Sequence, residues 1–295
     1  MKKLIIAAAI GMTVLSVQAF ESYKDAYAAG QKDEKVRSFD GAEKAYAAAV
    51  ELGKTDIEKA SALYRQGECQ RLNKKSEEAA KTYAAILVLP AVSDYYKNLA
   101  QLRLGNLLQY DKKYDQAIPE LQKVLTMKPP FFFIDAQLAI AACLRDQKKS
   151  DDAIAAYEKV LTMEKISPAQ LGEAMVNIAS LLRLQKKYDD SNKMFEKVVV
   201  LEKAVPAHVS AALVNTGMNM FDQKKYDEAI ASFEKTIGLD KANAYHVVQA
   251  QYMIGASLRA LKKNAEALKA YEKAADLKGG SPYFEVDSIR MIGYC

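Results

Sequence analysis

Histidine is nearly absent: the 295 residues hold two, His208 and His246. No carboxylate or cysteine set at metal-ligand spacing accompanies them, so neither a structural nor a catalytic metal site is expected. Both read as residues near a helix start. Also missing are a glycine-rich phosphate loop, two histidines one helical turn apart and a serine on a sharp strand-to-helix turn. Without such a constellation there is no enzyme to expect, no catalytic residue to name and no cofactor to bind. Cysteine is limited to Cys69, Cys143 and Cys295, an odd number that makes no disulfide framework. Glycine (13) and proline (7) are scarce and half the residues are apolar, which suits a helical chain. Neither sign of charge dominates. Setting aside Lys2 and Lys3 leaves 40 Lys and Arg against 37 Asp and Glu, a net +3. That is too balanced to argue for nucleic acid.

Long apolar runs are absent beyond the first residues. The opening MKKLIIAAAIGMTVLSVQA has two lysines, an apolar run from Leu4 to Val17 and a closing Val-Gln-Ala. This is the pattern of a secretory signal peptide over residues 1–19, cut between Ala19 and Phe20. The run is short for a bilayer span, which takes about 20 residues; a one-pass anchor is the alternative reading. No cysteine stands at the cut for lipid attachment. The expectation is an exported protein, periplasmic or secreted. Its mature chain, 20–295, would form a single domain without a transmembrane segment.

What is present is repetition. The phrases DKKYDQAIPELQK (111–123), DQKKSDDAIAAYEK (146–159), LQKKYDDSNKMFEK (184–197) and DQKKYDEAIASFEK (222–235) are variants of one sentence. A small residue recurs at Ala42, Ala79, Ala117, Ala153, Ser191, Ala229 and Ala267, at intervals of 36 to 38. Such a period is a repeat signature. Twelve residues before each stands Gly30, Gly67, Gly105, Ala141, Ala179, Gly217 or Gly255; four after each stands Tyr46, Tyr83, Leu121, Tyr157, Phe195, Phe233 or Tyr271. Two small residues let a pair of helices cross closely, and the large side chain one turn on fills the space beside the crossing. Lys-Lys pairs followed by acidic residues mark the turn inside each pair, since cations suit a helix C-terminus and carboxylates an N-terminus. Prolines and glycines fall at the handover to the next pair. The repeats run approximately over 23–56, 57–92, 93–130, 131–166, 167–205, 206–243 and 244–281, with a half repeat over 282–295. Such a chain is an all-α solenoid of about seven helix pairs and a final lone helix.

This pattern is similar to the tetratricopeptide repeat, on Leu104-Gly105, Ile254-Gly255, Ala229 with Phe233, and Pro129. It departs from that family in lacking the leading tryptophan and in a period longer than the usual 34 residues. The long period and export signal resemble those of exported bacterial members such as the Tol–Pal coordinator and the outer-membrane assembly lipoprotein. The resemblance implies a right-handed superhelix whose first helices line a concave groove, where extended peptides or partner helices are held.

With the first small residue counted as position 8 of each repeat, positions 2, 5, 9 and 12 share a helix face. Position 12 carries Arg71, Arg145, Arg183 and Arg259, and position 5 carries Tyr64 and Tyr252. Arginine forks and tyrosine plates suit the carboxylates and apolar side chains of a protein ligand. Alternatively the arginines pair internally with Glu68, Asp146, Asp222 or neighbours and solubilise the wall. Asn177 and Asn215, at position 6, could clamp a peptide backbone. The family's two-carboxylate clamp also needs lysines at positions 2 and 5, where this chain has Glu173, Val176, Ala211 and Val214, so that specificity does not transfer.

The three cysteines share one position, two residues after a position-8 residue. Units that far apart cannot bridge, so they read as small fillers, with Cys295 able to pair between molecules. Phe131, Phe132 and Phe133 read as a seal at a handover, with Phe131 the residue to test. The last helix offers Met291, Ile292 and Tyr294. Either that face meets a partner or another copy, or the sequence continues.

The expected function is a non-enzymatic envelope scaffold that binds a peptide or protein in its groove. The alternative is a structural component that associates with cell-wall polymer, or with itself through the C-terminal helix.

Overall fold

A computed structural model describes residues 20–277 and 282–293. The signal-like segment, Tyr294 and Cys295 lie outside them. Among the described residues every regular element is a helix, and there is no strand. In chain order these are α1 (Tyr23–Lys35), α2 (Phe39–Leu52), α3 (Asp56–Leu72), α4 (Ser76–Leu87), α5 (Asp94–Tyr110), α6 (Tyr114–Val124), α7 (Phe133–Asp146) and α8 (Ser150–Leu161). Then follow α9 (Pro168–Leu184), α10 (Tyr188–Val199), α11 (Pro206–Asp222), α12 (Tyr226–Ile237), α13 (Ala244–Ala260), α14 (Asn264–Asp276) and α15 (Pro282–Ile292). Odd-numbered helices are the first of each pair and even-numbered ones the second.

The helix starts follow the side chains available to them. Thr55 and Ser167 close capping boxes with Glu58 and Gln170, and prolines open α9 and α11. Satisfying the free amides in this way fixes where a helix begins.

Each first helix from α3 to α13 stops at the first lysine of a Lys-Lys pair. Lys74, Lys112, Lys148, Lys186, Lys224 and Lys262 take left-handed backbone with φ between 59° and 63°. At Lys148 the amide donates to Arg145 O (2.8 Å), and the next amide, on Lys149, donates to Leu144 O (3.0 Å). These two bonds are the Schellman closure. It recurs at every Lys-Lys pair, and at Arg37–Ser38 between α1 and α2. The lysines are therefore backbone hinges as well as charges.

The chain divides into two compact units, one ending at Arg103 and one beginning at Leu104. In the first, α2 packs between α1 and α3, and α3 packs on α4. In the second, each helix from α6 to α15 packs on the next, and the first helices also touch one another, α7 on α9, α9 on α11, α11 on α13 and α13 on α15.

In both units the small residue of the first helix lies under the large side chain of the second. A Cβ placed on Gly67 would come within 2.6 Å of the Tyr83 ring, and on Gly255 within 2.8 Å of the Tyr271 ring. On Gly105 it would meet Leu121 at 2.5 Å. Tyr83, Leu121, Phe233 and Tyr271 are fully buried. The sequence suggested that two small residues brought the helices together with the ring beside them. Instead the ring occupies the volume that the glycine vacates.

Candidate partner-binding face

The first helices of the second unit bring positions 2, 5, 9 and 12 to one side. Asn106 and Gln109 on α5, Asp135, Leu138, Ala139 and Ala142 on α7, and Glu173 on α9 line an open cleft of about 260 Å³. Apart from Ala139, which is at position 6, all of them occupy those four positions.

Its walls are acidic and amide-rich. Asp135 accepts from Gln170 Nε2 at 2.9 Å. Glu173 is exposed overall, yet partial burial of its carboxyl pushes it above the usual range; His208 opposes this, Asp135 adds to it and Arg145 opposes it. Two such carboxylates over an apolar floor suit a cationic or hydrogen-bond-donating group.

The arginines singled out by the repeat are mostly engaged. Arg145 reaches Asp146 Oδ1 at 2.9 Å and donates through Nη1 to Asn177 Oδ1 at 2.6 Å. Arg183 pairs with Asp222 at 2.8 Å, from α9 to α11. Arg259 is exposed and forms no ion pair among the described residues. Asn177 and Asn215 each donate to a carbonyl one turn back, Glu173 O (2.9 Å) and Ala211 O (2.8 Å). Tyr252 donates to Asp287 of α15, with its ring between Tyr271 and Phe284.

The first unit gathers its residues around a carboxylate. Glu68 accepts from Tyr83 Oη at 2.6 Å and from Arg71 Nη2 at 2.9 Å, and it pairs with Arg103 Nε at 3.0 Å. Arg103 also donates to Tyr64 Oη at 3.0 Å, with its guanidinium 5.7 Å from the centre of that ring. Burial alone would raise the Glu68 pKa, but the Tyr83 hydroxyl, Arg71 and Arg103 outweigh it and hold the carboxyl below the usual range.

Sequence reasoning missed Glu68 as a hub, Arg103, and the Asp135–Glu173 pair. The signal for Arg103 was available, since it occupies the same repeat position as Asn177 and Asn215. In the sequence Glu173 marks only the absence of the family's lysine at position 2.

Other surfaces are larger. Between α10 and α12, over α11, a cleft of about 840 Å³ is lined by Asn192, Glu196, Val200, Leu213, Met220 and Lys235 among others. Phe131, Phe132 and Phe133 share a cleft of about 460 Å³ with Met163–Lys165 of the next handover. Volume alone does not choose among open grooves. The first-helix cleft is the one whose lining recurs at fixed repeat positions.

His208 and His246 lie in the first turns of α11 and α13. Each sits over the preceding first helix, His208 against Gly172 and His246 Nδ1 at 2.9 Å from Ser210 Oγ. Among the described residues no three His, Cys, Asp or Glu side chains are placed to hold a metal ion, and no helix is long and apolar enough to cross a membrane.

Comparison with known proteins agrees with this geometry. A tetratricopeptide repeat model matches residues 19–95, 102–170 and 214–282, and a second matches 170–242. No curated protein matches the sequence. Among solved structures, a tetratricopeptide repeat protein from Parabacteroides merdae is 16% identical with a TM-score of 0.61, over 93% of this chain and 100% of that one. The apo quorum sensor NprR from B. thuringiensis is 14% identical with a TM-score of 0.63, over 91% of this chain and 79% of that one. Pseudomonas aeruginosa pilF is 15% identical with a TM-score of 0.57, over 80% and 99%. At these identities the likeness is one of fold. With its helix pairs, its ring-over-glycine contacts and these matches along most of its length, the chain belongs to the tetratricopeptide repeat family.

Proposed function

We propose that the chain is a non-enzymatic scaffold of the cell envelope that binds an extended segment of a protein partner along its first helices. One observation carries this reading: residues from three successive first helices, at recurring repeat positions, line a single cleft. The cleft's chemistry favours a ligand of mixed charge. A lysine or arginine of the ligand would sit between Asp135 and Glu173. A ligand carboxylate would meet Arg259 directly, or would compete for Arg145 and Arg183 with the acids they now hold. Within the second unit, Asn215 and Tyr252 extend the same pattern to later repeats; Tyr64 and Arg71 hold the corresponding positions in the first unit. Export rests on the character of residues 1–19.

A photo-crosslinking amino acid at Ala139, inside the cleft, is compared with one at Lys193, beside the outer cleft, in an envelope extract. The reading expects a discrete protein adduct from position 139 that is lost on Arg145→Glu plus Arg183→Glu or on Glu173→Lys. Adducts from position 193 alone would reject the groove. Co-sedimentation with purified wall polymer, unaffected by those substitutions, would favour the structural alternative.

A further inference from the structure

One first helix of the second unit breaks the repeat. α9, α11 and α13 begin at Pro168, Pro206 and Ala244, eleven residues before Ala179, Gly217 and Gly255 at position 8; α7 begins at Phe133, eight before Ala141. The difference is nearly one helical turn. Pro130 stands where Pro168 and Pro206 open their helices. Yet Pro129 has no side chain to cap a helix there, as Ser167 does for α9. Phe132 then takes left-handed backbone, φ 63° and ψ 18°. A bulky residue resists that conformation, and it cannot continue a right-handed helix.

The three residues at the places of that turn, Pro130, Phe131 and Phe132, wall a notch of about 460 Å³ instead. Phe133, Ile134 and Met163 complete its apolar lining. The Phe131 and Phe132 rings stand 6.4 Å apart, tilted by 51°, and Phe131 is 39% exposed. Glu164 and Lys165 also line the notch and carry opposite charges, so between them they favour neither ion. An aromatic-lined recess of this size has room for one large apolar side chain.

Asp135 determines what reaches it. This residue lines the notch and also the first-helix cleft, whose other carboxylate is Glu173, so the two spaces are continuous there. An extended chain advances about 3.5 Å per residue. A ligand cation held by Asp135 and Glu173 therefore brings the residue one or two places away to the phenylalanines.

We infer that the notch is an anchor pocket for an aromatic side chain of the segment bound in the first-helix cleft, one or two residues from the lysine or arginine between Asp135 and Glu173. The inference rests on the groove reading and adds to it the sequence class of the ligand, an aromatic residue beside a basic one.

Random heptapeptides displayed on phage are selected on the full chain, and one enriched peptide is then titrated by fluorescence anisotropy. Enrichment of an aromatic residue within two places of lysine or arginine is expected. Replacing that aromatic by alanine should weaken binding at least tenfold. On Glu164→Trp, whose indole fills the notch from an exposed position outside the helices, binding should weaken by as much, and the alanine peptide should then bind as well as the aromatic one. Val200→Asp, on the outer cleft, should change neither. Circular dichroism and melting verify that each variant is folded. Peptides enriched in basic residues alone, weakened by Glu173→Lys but indifferent to Glu164→Trp, would overturn the notch and leave the groove standing. Selection that enriches no peptide, or only peptides indifferent to Glu173→Lys, would overturn both. A full-chain dimer that excludes the peptide and dissociates on Phe131→Asp would make a second copy the occupant and overturn the inference as well.

Discussion

The ring of Phe233 lies where a side chain on residue 217 would have to go: a Cβ built on Gly217 would stand 2.6 Å from Phe233 Cε1. Ring and glycine are one fitted contact between α11 and α12. Overfilling a packed site of this kind costs about 1–3 kcal/mol, so Gly217→Ala is expected to destabilise by that amount in urea denaturation. Phe233→Ala empties the space and should cost about 3–5 kcal/mol. Because the alanine methyl no longer collides once the ring is gone, the double variant should be less unstable than the sum, by about 0.5–3 kcal/mol. Strict additivity would show that the contact is not the one described.

The left-handed lysines invite the opposite experiment. A residue with a Cβ in that conformation is strained by about 1–2 kcal/mol, of which glycine gives back about 0.5–1 kcal/mol through unfolded-chain entropy. Lys148→Gly, at φ 63°, is therefore expected to stabilise by roughly 0.5–1 kcal/mol. Lys149→Gly, at φ −84°, should bring no gain. Melting curves of the two variants distinguish them, and a gain at Lys149 would contradict the backbone assignment.

The two carboxylates should respond to acid with opposite signs. Glu68 is held below its ordinary value of 4.5, so it adds stability above that pH and loses it as pH falls through the depressed value. Glu68→Gln should cost about 1–3 kcal/mol near neutrality, since Arg71 and Arg103 lose a charged partner, and should flatten the acid limb. Glu173 is held above its ordinary value, so its ionised form is a burden at neutral pH that disappears on acidification. Glu173→Gln should raise the melting temperature at pH 7, and the gain should vanish in acid. If both variants shift the acid limb in the same direction, one of these environments is wrongly described.

Thiol labelling tests the interior. Burial, helped by Glu34, pushes the Cys69 thiol up to about 12, and burial with Asp146 pushes Cys143 to about 11. Neither is in a disulfide and both are buried. In a Cys295→Ser background, neither should react with a thiol reagent at pH 8 until denaturant is added, and each should then react as its own helix pair is lost. Rapid labelling of either in the folded chain would refute the packing.

Much of the architecture was legible because close packing leaves a periodic mark. A small residue every 36 to 38 positions, with a large one four later, locates each helix pair. The Lys-Lys pairs likewise located each turn, though their left-handed backbone was invisible: lysine is not the residue that conformation favours, so only the charge could be read. The groove was harder. Repeat position told which residues share a face, and Asn106, Gln109, Asp135, Leu138, Ala142 and Glu173 do line one cleft. It could not tell which charges were already matched. Arg183 meets an acid 39 residues away on the next first helix, and Arg145 meets the adjacent residue. The sequence names Glu68, Asp146 and Asp222 as internal partners only as one of two readings, and those pairs form; it does not choose between the readings, because long side chains can reach in several directions.

The Schellman turns and ring seats have one more consequence. Each joins helices that are neighbours in the chain, and the ties between repeats in the second unit, such as Arg183 to Asp222, span only 39 residues. Low sequence separation of contacts favours rapid folding, and nearest-neighbour coupling lets structure be lost stepwise. Pulled by its ends, the second unit should lengthen in several small events, one helix pair at a time, in place of a single rupture.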